Sequence, residues 1–173
     1  MRRPAIIGIL ATALAAACTP DVPDNATVSA DQAARLFERT CLDTLPEFDA
    51  FPERIDQLGL SYAGDLEGID MYNVSGRALF AGTQVEDDVG ACKVAFYGDW
   101  SEASVGEVLL QTVESVVGQN SEKFRSDFFE YAYYLENKSM LTYAHHARGG
   151  QMIHLFAISR PIDRSEIDKY IYE

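Results

Sequence analysis

The chain has little cysteine, little positive charge and no long hydrophobic run, and each shortage excludes something. Its three cysteines, at 18, 41 and 92, are too far apart for a CxxC redox or zinc pair. With 14 Lys and Arg against 27 Asp and Glu, the formal net charge is −13. No basic stripe is therefore available to neutralise phosphates, which argues against nucleic acid as a partner and against charge-driven adhesion to anionic lipid. There is no Gly-x-Ser-x-Gly elbow, no phosphate-binding loop and no HExxH, so no catalytic residue is assigned. The longest uncharged apolar run, PAIIGILATALAAA from Pro4 to Ala17, is 14 residues, too short for a mature membrane span.

That run is the right length for the core of a secretory signal. Met1-Arg2-Arg3 supplies the positive start, and Ala15-Ala16-Ala17 the small residues a signal peptidase requires. Two cuts compete: an ordinary A-x-A cleavage leaving Cys18 as a thiol, or lipoprotein processing in which Cys18 is the lipidated first residue. Ala16, Ala17 and Cys18 resemble the bacterial lipobox, and Ala15 departs from it, since Leu is preferred there. On that motif alone the chain resembles small bacterial lipoproteins of uncharacterised function. The resemblance implies a signal peptide at 1–17, a palmitate-type lipid on Cys18 and export to the periplasmic side of a bacterial membrane. It transfers no catalytic residue.

The rest of the sequence is consistent with that division. TPDVPDNATV, Thr19 to Val28, has two prolines and small polar residues, so 18–28 is expected to be a lipidated start and flexible tether. Assigning Cys18 to the lipid leaves Cys41 and Cys92 as an even pair, expected to form a disulfide in an oxidising compartment. The remaining chain, 29–173, is of single-domain size, and the chain from Cys18 onward keeps 12 basic against 27 acidic residues once Arg2 and Arg3 are removed.

The domain is expected to be α+β. Ser29-Ala30-Asp31-Gln32 is a capping box, followed by Ala33, Leu36, Phe37, Thr40 and Cys41 at helical spacing. Thr44-Leu45-Pro46-Glu47 announces a second helix ending at Gly59. Ser104-Val105-Gly106-Glu107 caps a central helix ending at Gly118, and Asp163-Arg164-Ser165-Glu166 a short C-terminal one. Between them, MYNV, RALFAG and ACKVAFYG form one run of strands, and SDFFEYAYYLE, SMLTYAHHA and QMIHLFAIS another. The expectation is an antiparallel sheet of about six strands with the N-terminal helix pair and the central helix on one face. No internal repeat is visible.

One constellation carries chemistry. If Asn137-Lys138 and Gly149-Gly150 are two-residue hairpin turns, His145 lies opposite His154, and Glu130 opposite His145, in a row across three strands. Two imidazoles and a carboxylate so placed are a ligand set for a divalent metal. The competing reading is an ordinary cross-strand contact, and a slip of one residue in either turn breaks the row. Trp100, Tyr131 and Tyr133 are candidate partner contacts, since aromatic side chains anchor interfaces at low entropic cost. Two functions follow as expectations: a non-enzymatic domain binding an unknown protein or ligand of the cell envelope, or a metal-binding protein or metal-dependent enzyme using Glu130, His145 and His154.

Overall fold

The computed structural model describes residues 28–66, 69–86, 89–98, 100–124, 126, 129–148 and 151–167. The signal segment, Cys18 and the tether as far as residue 27 lie outside them, as do both central residues of the Gly149-Gly150 turn. Val28, expected at the end of the tether, is fully buried.

Helix α1, Ala30–Thr40, begins where its capping box places it. The Ser29 hydroxyl accepts the Gln32 N–H at 3.1 Å, and the Gln32 side-chain oxygen accepts the Ser29 N–H at 3.0 Å. Ala33, Leu36, Phe37 and Thr40 form its buried face, and Cys41 follows at the C-cap, pointing inward. The expected second helix starts late. Leu45 is extended, as a residue before proline prefers to be, and the chain makes a short 3-10 turn at Leu42–Thr44 instead. Phe48 adopts a left-handed φ of 61° while buried, and α2 runs only over Phe51–Gln57, with Pro52 in the first turn where its missing N–H costs nothing. Gly59, at φ 65°, follows its end.

Helix α3, Glu102–Val117, is three residues ahead of the expected cap. Ser101, not Ser104, is the N-cap: its hydroxyl accepts the Ser104 N–H at 3.3 Å. The expected C-terminal helix is a single 3-10 turn at Arg164–Glu166, and the Asp163 side chain makes no cap bond.

The sheet has eight strands, not about six. They are β1 Ser61–Leu66, β2 Ile69–Asn73, β3 Leu79–Glu86, β4 Val89–Tyr97, β5 Glu122–Phe124, β6 Tyr131–Tyr134, β7 Met140–Arg148 and β8 Gln151–Ser159. Their order is β1-β2-β3-β4-β8-β7-β6-β5, with every ladder antiparallel. The two unexpected strands, β1 and β5, are the edges. An edge strand has one neighbour and no obligation to alternate apolar residues, so its sequence signal is weak. Gly64, at φ 131° beside a register shift, further breaks the pattern of β1.

This topology contains a repeat that the sequence does not display. A helix followed by a four-stranded meander occurs twice, and the last strands of the two meanders, β4 and β8, pair at the centre. The hairpins match in register: Leu79 pairs with Phe96 and Leu141 with Ile158, and Glu86 with Val89 as Arg148 with Gln151. Cys92 and His154 occupy equivalent positions in these hairpins, on the face that also carries Val94, Phe96, Phe156 and Ile158. The disulfide between Cys41 and Cys92, Cα atoms 5.4 Å apart, fastens α1 to this face. Phe37 of α1 meets Phe156 edge-on at 5.9 Å, and Val105, Leu109 and Val113 of α3 complete the same core.

Candidate functional site

The expected histidine row forms in part. His145 is opposite His154 on β7 and β8. The β6–β7 register is one residue away from that expected, because Tyr131 pairs with Tyr143. The turn is longer than two residues. Leu135 donates to the Ser139 carbonyl at 2.9 Å, and Glu136, Asn137 and Lys138 lie between them, with Lys138 at φ 68°. That left-handed residue marks the three-residue hairpin with a bulge, the common alternative to a two-residue turn. Glu130 therefore stands before β6, outside the ladder. Its carboxylate still reaches the ring, with Oε1 3.3 Å from His145 Nδ1, and the two side chains are 27% and 25% exposed. Neither that imidazole nitrogen nor Glu130 Oε2 makes a hydrogen bond of good geometry.

His154 is occupied otherwise. It is 1% exposed, and its Nε2 is 2.9 Å from the Gly98 carbonyl. A carbonyl only accepts, so Nε2 carries the hydrogen and Nδ1 accepts from the Tyr143 hydroxyl at 2.8 Å. Burial, then the Glu130 and Glu102 carboxylates, push the Tyr143 hydroxyl well above its ordinary range and keep it a donor. No lone pair of His154 is left to ligate an ion. Glu130, His145 and His154 thus do not fit a divalent metal, and among the described residues no group of three His, Cys, Asp or Glu side chains is placed to hold one.

The same row is instead an aromatic stack. Ring centroids are 4.9 Å apart for Phe96–His154, 6.0 Å for His154–Tyr143 and 5.8 Å for Tyr143–Tyr131, and the Lys123 ammonium lies 4.6 Å over Tyr131 at the end. Such contacts order a core and fix strand neighbours. Tyr131 and Tyr133, taken from the sequence as partner contacts, are half-buried and packed against the core. Gly106 of α3 explains how closely: a Cβ there would stand 2.5 Å from the Tyr131 ring. Trp100 is 39% exposed, but its indole N–H donates to the Val28 carbonyl at 2.8 Å. It clasps Val28, the first of the described residues.

No protein-family model matches the chain, and neither a curated protein nor a solved structure matches it.

The most exposed aromatic side chain among the described residues went unnoticed in the sequence. Tyr62, on edge strand β1, is 60% exposed. It meets Tyr72 of β2 edge-on at 5.8 Å, and Tyr72 meets Phe51 of α2 at 6.2 Å. Asp65 of β1 is directly opposite Asp70 of β2, and both are exposed. These carboxylates lie close to the ring: partial desolvation, then Asp70 and Asp65, raise the Tyr62 hydroxyl, which also hydrogen-bonds Asp70. The signal in SYAGDL was hidden by Gly64, where the bulge interrupts alternation.

Proposed function

We propose that the chain is a lipid-anchored protein of the bacterial cell envelope, with Cys18 as its lipidated residue and the fold from Val28 onward as a non-enzymatic binding domain on the periplasmic side. The disulfide between Cys41 and Cys92 carries this reading. Structural disulfides belong to oxidising compartments, and this one leaves Cys18 as the one cysteine outside the pair, in the position a lipid would take. Several acyl chains, at about 0.8 kcal/mol per buried methylene, would make the anchor effectively permanent.

Binding is favoured over catalysis because the residues with the strongest chemical promise have structural work. His154 is saturated by Gly98 and Tyr143, and Tyr131, Tyr133 and Tyr143 pack in the core that α3 completes. The metal-dependent alternative draws no support from this geometry. Metabolic labelling with an alkyne analogue of palmitate in a bacterial host tests the anchor: the wild-type chain should take the label and sediment with membranes, and Cys18→Ser should do neither. Label-free, freely soluble wild-type protein would refute the reading.

A further inference from the structure

The two ends of the sheet are unequal. Edge strand β5 is three residues long, and the C-terminal segment guards it: Arg164 binds Glu122 at 2.9 Å and stacks over Phe124 at 4.3 Å. Edge strand β1 has six residues, and among the described residues no backbone hydrogen bond is made on its outer side. Short length and covering side chains are the usual protections of an edge, and β5 has both. Among the described residues, the protection that β1 shows is the bulge at Gly64, where a Cβ would meet nothing within 4 Å.

The side chains along β1 state what an added strand should carry. Asp65 and Asp70 are a like-charged pair directly opposite one another, an arrangement that destabilises an antiparallel ladder. A cation on a strand next to β1 would offset that repulsion from the open side. Tyr62, whose ring stands exposed between these carboxylates and Tyr72, offers a π-face for the same cation or for its aliphatic stem. The formal charge of −13 adds long-range attraction for a basic segment and repels a second copy of this chain.

We propose that β1 is a docking edge, on which an extended, basic segment of a partner protein adds as a ninth strand, its backbone pairing with Ser61–Leu66 and its lysine or arginine side chains lying against Tyr62, Asp65 and Asp70. This rests on the reading of the chain as a binding domain and names where binding occurs. Strand addition draws affinity from main-chain hydrogen bonds and specificity from alternate side chains, so an alternating basic and β-branched segment is the matching chemistry.

The test uses the processed, isotopically labelled chain and a ten-residue peptide of alternating lysine and valine, with alternating glutamate and valine as the control. The expected result is a saturable change in the amide resonances of residues 61–66, slower hydrogen exchange there, and no response to the glutamate peptide. Asp65→Lys with Asp70→Lys should weaken the lysine peptide by about tenfold, the scale of two exposed ion pairs. No response at saturating peptide, a response centred on β5, or equal binding of both peptides would overturn the proposal. Concentration-dependent changes in β1 without peptide would make a second copy the occupant and overturn it too. Photo-crosslinking in cells, with p-benzoylphenylalanine in place of Tyr62, Trp100 or Val116, an exposed residue of α3, separates the two levels. Adducts from 100 or 116 and none from 62 would remove the β1 edge and keep the binding domain; none from any position would remove both.

Discussion

Tyr143 donates its hydroxyl hydrogen to His154 Nδ1 over 2.8 Å, and this bond decides what the histidine row of the second meander is for. With Nε2 given to Gly98, His154 becomes a buried strut joining β7, β8 and the segment that leads into α3. The chemistry that two imidazoles and a carboxylate advertise in the sequence is consumed in holding the sheet to the start of a helix.

Removing that hydroxyl should therefore be costly. Tyr143→Phe keeps the ring stack with Tyr131 and His154 but strands Nδ1 without a partner in a site that water does not reach. An unsatisfied buried polar group costs about 1–3 kcal/mol, so the unfolding free energy should fall by that amount, read as a lower urea midpoint at unchanged slope. A midpoint equal to wild type would mean that the bond is not made.

The same hydroxyl gives an alkaline signature. Its folded-state affinity for the proton is raised, by burial first and by Glu130 and Glu102 next. Such a group contributes stability that is complete below its unfolded value, about 10 for tyrosine, and is lost as the pH rises from there through the folded value. Urea titrations between about pH 8 and 11 should show stability falling above pH 10, and falling less steeply in Tyr143→Phe. Parallel profiles for the two proteins would contradict the assignment.

Glu130→Gln should do little by comparison. Its carboxylate is 3.3 Å from His145 Nδ1, but both side chains are more than a quarter or about a quarter exposed, where screening reduces an ion pair to about 0–1 kcal/mol. Thermal melts of the variant should overlay wild type closely at neutral pH. A loss as large as that of Tyr143→Phe would promote the pair from surface contact to structural element.

Gly106→Ala tests the closeness of α3 to the sheet. Alanine gains about 1 kcal/mol over glycine in a helix interior, yet here its Cβ would lie 2.5 Å from the Tyr131 ring. Overpacking costs about 1–3 kcal/mol, so the net change should be a loss, with altered near-ultraviolet circular dichroism from the tyrosines. A more stable variant with an unaltered spectrum would place the helix farther from β6.

Replacing Cys41 and Cys92 together by serine should lower stability by roughly 4 kcal/mol, the chain-entropy value for a loop of about 50 residues. Denaturation of wild type with and without reductant provides the companion measurement. If the two proteins unfold at the same denaturant concentration, the disulfide does not constrain the unfolded chain.

The sequence by itself determined what depends on neighbours along the chain. Ser29 and Gln32 specified the start of α1 through a reciprocal pair of local hydrogen bonds, and Gly118 its counterpart, the end of α3, through a conformation that glycine adopts freely. The alternation in β3, β4, β7 and β8 was legible because these strands lie at the centre, where one face must be apolar. The cysteine count, with Cys18 set apart, left Cys41 and Cys92 as an even pair, and helical spacing turned Cys41 inward, so their pairing could be read before any contact was known.

Tertiary structure decided the rest. The edge strands β1 and β5 exist because partners are available to them, and nothing in SYAGDL or EKF demands it. A single extra residue between Tyr134 and Met140 moved the β6–β7 register, since side chains alternate with a period of two. Tyr62, Asp65 and Asp70 came together only through the β1–β2 ladder, and His154 lost its availability only because Gly98 and Tyr143, distant in the chain, meet it in the core. Whether a polar side chain is a ligand or a strut depends on who else reaches it, and that is settled by packing, not by spacing.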